Sequence, residues 1–291
     1  MNSAVIFSVL FWGLYVGCVY ISLAVGLNLI FGVMKVVNFA HGEIMVLGAY
    51  ITFWLWKLLG VNPYAAIPAS MAVVAVIGII LQRLCFRPIL GPNKLKEIFV
   101  SLGLIILLQN LMCTLWTEDP RRIISPYEAK TIHLGSFKLR LDYTLVIAVT
   151  SITLVMLYLF LTKTRVGRSL RATSQNRLAA MITGVNVEKM DLVSFGIGCS
   201  LAALAGSFMG LAPFDPYSGS LPAIKAFAVI ILGGPGSVLG AIIAGLAIGL
   251  AESIGTYVLG GSWRDAVTFL LLIAILIIRP TGIHGEGGKE T

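Results

Sequence analysis

Residues 222–252 read PAIKAFAVIILGGPGSVLGAIIAGLAIGLAE, and their interpretation decides the fold. As one straight helix the stretch would extend about 45 Å. The hydrocarbon of a bilayer is only about 30 Å thick. At its centre stands Leu232-Gly233-Gly234-Pro235-Gly236. Proline removes a backbone donor and glycine loosens a helix. Non-helical backbone at membrane depth persists only where protein or a water-lined cavity shelters it. The stretch therefore predicts two half-helices or a hairpin inside a membrane protein.

The rest of the chain agrees. Of its 291 residues 58% are hydrophobic and only 12% charged, with a mean hydropathy of +0.94. Soluble domains run near 45–50% apolar and about 25% charged. Residues 1–34, 143–162 and 192–214 contain no Asp, Glu, Lys or Arg. Such uniform runs favour helices over a lipid-facing barrel, which would alternate. Eight apolar segments are visible, at about 5–34, 38–57, 62–83, 98–116, 142–162, 190–212, 222–252 and 264–279. The first is, like the seventh, too long for a simple crossing. It lacks the positive leading region of a cleaved signal, so it reads as a retained span. The expected fold is an all-α polytopic membrane protein. It would form a single transmembrane domain over residues 1–291, with eight to ten membrane elements including broken or re-entrant helices. Cys18, Cys85, Cys113 and Cys199 are scattered singly and suggest neither a metal pattern nor a disulfide framework.

The net charge of +8 reads as topology, not as a nucleic-acid footprint. Basic residues concentrate at 83–96 and at 163–189, so both loops are expected on the cytoplasmic side. The loop at 117–141 then lies outside, although its charge is mixed. Small residues recur every fourth position at Gly198, Ala202, Gly206 and Gly210, and again at Gly236, Gly240 and Ala244. This spacing lets backbones approach closely in lipid. An internal echo pairs Lys35 before Gly48-Ala49 with Lys225 before Gly240-Ala241, as inverted repeats of transporters would.

No catalytic constellation is legible, so an enzyme is not expected. There is no phosphate-binding loop, and GGPGSVLG lacks the lysine that would contact phosphates. Of three histidines, His133 and His284 fall in predicted loops. The third stands in VNFAHGEIMVLGAY, residues 37–50. His41 and Glu43 are two apart and do not share a helix face. Asn38 is placed to cap a helix whose first turn holds both, at the cytoplasmic boundary just after Lys35. A glutamate there is favoured by the helix dipole. Two readings stay open: a capped interfacial helix start, or a stretch that lines or gates a polar pathway. Lys225, Glu252 and Asp265 lie near segment ends, where snorkelling to water is expected. In the 163–189 loop, Leu170, Ser174, Leu178, Met181, Ile182 and Val185 share one face of a short helix. Gly184 is placed to end that helix in a left-handed cap. The stripe packs on its own bundle or headgroups, or it docks a partner from the cytoplasm.

The stretches VNFAHGEIMVLGAY, SQNRLAAMITGV (174–185), 225–252 and RPTGIHG (279–285) resemble the permease subunits of ATP-binding-cassette importers. The similarity is greatest to the H-type subunit of the Liv-type branched-chain amino acid transporters, and it covers about Gly26 to Gly285. Relatives in that family also import urea, short amides and other amino acids. The resemblance implies a bacterial inner-membrane protein that pairs with a second, M-type permease. Two cytoplasmic ATPases would bind ATP and Mg2+, which leaves no cofactor in this chain, and an extracytoplasmic binding protein would deliver substrate. It also implies that Asn176, Ala179, Ala180 and Gly184 belong to the segment coupled to the ATPase, within the cytoplasmic loop 163–189. Asn38, His41 and Glu43 would then lie near the inner mouth, and Gly233, Gly234, Pro235 and Gly236 along the shared pathway. The principal competitor from another class is an ion-coupled secondary carrier, for which no buried proton or sodium relay is legible.

Overall fold

The computed structural model describes residues 3–91, 94–134 and 137–278. Among them the helices are α1 (Ser3–Met34), α2 (His41–Leu59), α3 (Pro63–Leu81), α4 (Lys94–Trp116), α5 (Leu141–Lys163), α6 (Arg165–Gln175), α7 (Arg177–Ile182), α8 (Val187–Met209), α9 (Ser220–Gly233), α10 (Val238–Leu259) and α11 (Arg264–Ile278). One antiparallel hairpin joins β1 (Thr131–Leu134) to β2 (Phe137–Arg140), with Thr131 opposite Arg140. Eight helical stretches are long and apolar enough to cross a membrane, and α9 is a shorter apolar helix. The fold is thus an all-α polytopic membrane protein. The hairpin is its departure from pure helix, and it puts His133 in a strand where a loop was expected. His284 and the RPTGIHG motif lie outside the described residues.

The two long segments behave differently. Residues 222–252 break as expected, between Gly233 and Val238. Residues 3–34 remain one helix of 32 residues, which exceeds the bilayer and must tilt or protrude. Its C-terminal end meets the start of α4, where Lys94 Nζ donates to the Lys35 carbonyl at 3.1 Å. We call this the basic end, since α6 and α7 share it. At the opposite, hairpin end, Arg121 and Phe214 pair as an isolated bridge, and Tyr64 donates to Asp142 at 2.9 Å.

The chain between α1 and α2 sets the depth of the candidate site. Lys35 turns with φ 56°, and residues 36–40 carry no helix. Four residues, 35–38, carry no regular structure and 39–40 turn into α2; a six-residue connection spans at most about 20 Å. The His41 ring faces the backbone of Leu23. Leu23 is twelve residues back along α1 from Lys35, or about 18 Å. The chain therefore re-enters from the basic end, and α2 begins at mid-bundle. The opposite re-entry follows α8: residues 210–219 descend from the hairpin end, and α9 starts beside Gly42. The expectation of a helix start at the cytoplasmic boundary is corrected accordingly.

Packing follows the same inversion. α1 lies against α10 as α8 lies against α3, and α2 flanks α3 as α9 flanks α10. The internal echo is real in form, but it maps α1–α2–α3 onto α8–α9–α10 and does not map Lys35 onto Lys225. Small residues make the seams. A Cβ on Gly249 would stand 2.4 Å from the Gly17 backbone nitrogen, and one on Gly26 2.6 Å from the Gly198 carbonyl. Without a hydrophobic effect between helices in lipid, such close backbone packing carries the association.

Candidate functional site

At mid-bundle, the N-termini of α2 and α9 point at one another. Both carry the positive end of a helix dipole. Glu43, in the first turn of α2, is fully buried there. Its Oε1 accepts from Gln109 Nε2 of α4 at 3.0 Å and from Ser220 Oγ of α9 at 3.4 Å. Its Oε2 has no hydrogen-bond partner, and the fully buried His41 ring is turned to the Leu23 backbone. A buried acceptor without a partner costs about 1–3 kcal/mol, so this is an expensive arrangement for a mere helix start. Asn38 does not cap α2. Ala40 occupies the cap position, and Asn38 Oδ1 accepts from the Ala40 amide at 3.1 Å, turning the chain into the helix.

From Glu43 a polar seam climbs to the hairpin end. Beyond Gln109, Asn110 and Thr114 are exposed on the outward face of α4. On the same helix Cys113 Sγ donates to the Tyr217 hydroxyl at 3.5 Å, and that hydroxyl donates to Glu118 Oε1 at 3.2 Å. Below the junction the face turns apolar. Ile224 and Ile231 of α9 are exposed, and Phe227 packs on Phe39 of the re-entrant chain at 4.9 Å between ring centroids.

The glycine break lies at the basic end. Gly234 and Gly236 have φ of 93° and 88°, a region that side chains disfavour. Asn28 of α1 holds the break: its Oδ1 accepts from the Gly236 amide at 2.7 Å, and its Nδ2 donates to the Ser237 carbonyl at 2.8 Å. Ser237 then caps α10 through the Gly240 amide at 3.0 Å. Gly233 packs on Gly240, where a Cβ would meet backbone at 2.4 Å. Pro235 is exposed. Sequence reading passed over Asn28, whose amide in a span without charges was the available signal.

The 163–189 segment holds two helices, not one. Asn176 ends α6 and caps α7, its Oδ1 accepting from the Ala179 amide at 2.9 Å. The extended backbone at Asn176 splits the expected stripe. Leu170 is buried, while Leu178, Met181 and Ile182 are 71%, 50% and 87% exposed. Ala180 packs inward, and Gly184 turns with φ 85° as the left-handed cap expected of it. Arg177 ties α7 to α8 through a bidentate pair with the buried Asp191, at 2.7 and 2.6 Å. Those hydrogen bonds raise the guanidinium pKa above its ordinary value.

Snorkelling is not what Lys225 and Glu252 do. Both are buried, because burial in a shared network satisfies them better than a reach to water. Lys225 Nζ contacts Glu252 at 2.6 Å, Asp265 at 2.7 Å and the Tyr20 hydroxyl at 3.0 Å. Glu252 also accepts from Tyr20 at 2.8 Å, from Arg264 Nε at 3.0 Å and from Thr268. Only Asp265 stays half exposed. Among the described residues no group of three His, Cys, Asp or Glu is placed to hold a metal ion.

Comparison with known proteins gives this geometry its context. A chain of the PsaBC complex of Streptococcus pneumoniae, solved with a Fab, shares the fold at a TM-score of 0.51 and 14% identity, covering 93% of this chain and 91% of that one. The permease protein BraD of Pseudomonas aeruginosa, named for a high-affinity branched-chain amino acid transport system, is 33% identical over 96% of this chain and 95% of its own. LivH of Escherichia coli K12, named for the same kind of system, is 30% identical over 97% and 96%. A probable LivH of Methanocaldococcus jannaschii is 32% identical over 92% and 89%. These relatives are named as transport permeases, not as enzymes. The model of the family described as branched-chain amino acid transport system / permease component matches residues 9–276. The chain belongs to that family of transport-system permease components.

Proposed function

We propose that this chain is one half of the translocation unit of an ATP-binding-cassette importer in the bacterial inner membrane, and that it passes branched-chain amino acids. The observation that carries the reading is the polar seam of α4 and α9. Asn110 and Thr114 face outward on the hairpin-end half of α4, each bonded back to a carbonyl of its own helix at 2.7 and 2.8 Å, and the seam leads to a buried carboxyl where the starts of α2 and α9 meet. Polar groups on an outward transmembrane face are costly against lipid and mark a water-lined path or a partner. The second permease, an M-type homologue, packs on this face, and the solute moves between the two. The apolar lower half, at Phe39, Ile224, Phe227 and Ile231, suits an aliphatic side chain and holds it weakly.

The basic end is cytoplasmic by its charge. There Leu178, Met181 and Ile182 form the docking surface for an ATPase, and Asn176, Ala179, Ala180 and Gly184 give the segment its shape. Two such ATPases bind the ATP and Mg2+, and a binding protein delivers substrate at the hairpin end. The Glu43 junction and the Gly233–Gly236 break are the hinge points of the path. The family relationship supports the substrate class, as does the absence of clustered charge along the lower face.

The test is ATP-dependent uptake of labelled leucine in proteoliposomes that hold the chain with its neighbouring permease, ATPase and binding-protein subunits. Leucine uptake is expected, with urea excluded. Urea uptake without leucine uptake would move the chain to an amide importer. Leucine uptake driven by an ion gradient without ATP would overturn the reading.

A further inference from the structure

A cavity of about 650 Å³ lies between α1, α9 and the first turns of α5 and α11. Its α9 lining, Leu221, Pro222 and Lys225, is turned about 100° or more around the helix from the Ser220–Ile224–Ile231 face of the path. Along α1 it runs from Trp12 to Leu23, a depth of about 16 Å. Its size falls in the range of small-molecule sites, about 300–1,000 Å³.

The walls change character with depth. Val19, Leu23 and Met45 make the floor. The upper wall carries charge of both signs in matched pairs: Arg122 with Glu128, Arg140 with Asp142 at 3.8 Å, Lys225 with Asp265 at 2.7 Å, and Arg264 with Glu252 behind it at 3.0 Å. Several of these groups keep capacity to spare. Arg140 gives one Nη to the Tyr143 hydroxyl at 3.1 Å, and its other Nη lies 3.8 Å from Asp142 on a side chain that is 42% exposed. Arg264 uses Nε and one Nη on Glu252 and Tyr20, and the guanidinium lies 5.2 Å over the Trp12 ring. Asp265 spends one oxygen on Lys225 and is half exposed. Three guanidiniums, one ammonium and three carboxylates thus stand around an apolar floor.

We propose that this cavity binds a zwitterion, a molecule with an anionic group beside an ammonium on an aliphatic body. Arg140 and Arg264 take the anion, Asp265 the ammonium, and the floor the aliphatic part. Because the pairs are balanced in sign, a net anion or cation meets as much repulsion as attraction, and a molecule carrying both charges is favoured. Two sources share this chemistry: a free aliphatic amino acid, and the headgroup of a zwitterionic phospholipid whose chain enters the crevice. The inference stands on the cavity alone and does not require the transport reading.

The experiment uses the full chain in nanodiscs of phosphatidylglycerol, with and without phosphatidylethanolamine. Labelled leucine is titrated, and phosphatidylethanolamine retained by the protein is counted by native mass spectrometry. Saturable leucine binding without phosphatidylethanolamine identifies the free amino acid. Retained phosphatidylethanolamine without leucine binding identifies the headgroup. In either case Arg140→Gln, and independently Val19→Trp, which fills the floor, lower the bound ligand's affinity at least tenfold. The proposal is overturned if neither ligand binds, if inorganic phosphate competes as well as the zwitterion, or if a variant with the wild-type melting temperature binds as the wild type does.

Discussion

Gly42 and Gly219 meet backbone to backbone at the middle of the bundle. A Cβ on Gly42 would lie 2.1 Å from the Gly219 carbonyl oxygen, and one on Gly219 2.6 Å from the Gly42 carbonyl carbon. No rotamer relieves an overlap with backbone, so the starts of α2 and α9 approach this closely only as glycines.

Gly42→Ala and Gly219→Ala are therefore expected to push α2 and α9 apart. Overpacking of this kind costs about 1–3 kcal/mol, and thermal melting in detergent should register it for each. Gly103→Ala, on an open face with nothing within 4 Å of its Cβ, should leave melting unchanged or raise it slightly. Equal melting of all three variants would contradict the close contact.

Asn28 should prove as important as the glycines it serves. Asn28→Ala removes the partner of both the Gly236 amide and the Ser237 carbonyl; Gly236 is exposed and Ser237 half-buried, so water offsets part of the loss and each lost hydrogen bond costs roughly 0.5–1.5 kcal/mol. Asn28→Asp keeps the acceptor for Gly236 and loses only the donor to Ser237, so it should melt between Ala and wild type. Hydrogen exchange of the Gly236 amide is the local readout. Unchanged protection in Asn28→Ala would show that the break is held by something else.

Arg177→Ala leaves the Asp191 carboxylate buried and uncompensated. Removing one partner of such a pair costs about 3–5 kcal/mol. The exposure of Arg177 puts this case at the lower end, because solvent screens the pair. Adding Asp191→Asn should recover much of the loss. A double-mutant cycle checks it, and purely additive losses would dismiss the pair as an anchor.

Glu43→Gln should fold, because its side chain still accepts from Gln109 and Ser220. If Glu43 is a hinge of the path, reconstituted leucine uptake falls by an order of magnitude or more while melting is retained. Wild-type uptake in this variant would reduce Glu43 to a helix-start residue.

Much of this fold was legible in the sequence, and the reasons are particular. The break at Gly233–Gly236 could be read because thirty apolar residues exceed a bilayer and proline cannot continue a helix. The four-residue spacing of Gly198, Ala202 and Gly206 announced a seam for the same local reason. The depth of His41 and Glu43 was not legible. It depends on a six-residue connection folding back along α1, and no periodicity records a re-entry. Asn176 as both the end of α6 and the cap of α7 was missed because the apolar stripe runs through it without interruption. Lys225 and Glu252 stand near segment ends, where sequence reads as an escape to water. Only the tertiary fold brings Tyr20 and Arg264 to them across more than 200 residues and 12 residues, respectively.

The most direct test of an importer half coupled through α7 is leucine-stimulated ATP hydrolysis by the reconstituted complex carrying Leu178→Glu and Ile182→Glu. These side chains project from the protein, whereas a substitution at Gly184 would also strain a backbone held at φ 85°. Melting of the isolated chain should be unchanged and stimulation should be lost. Stimulation at the wild-type level, with both charges in place, would show that the nucleotide-hydrolysing partner docks elsewhere.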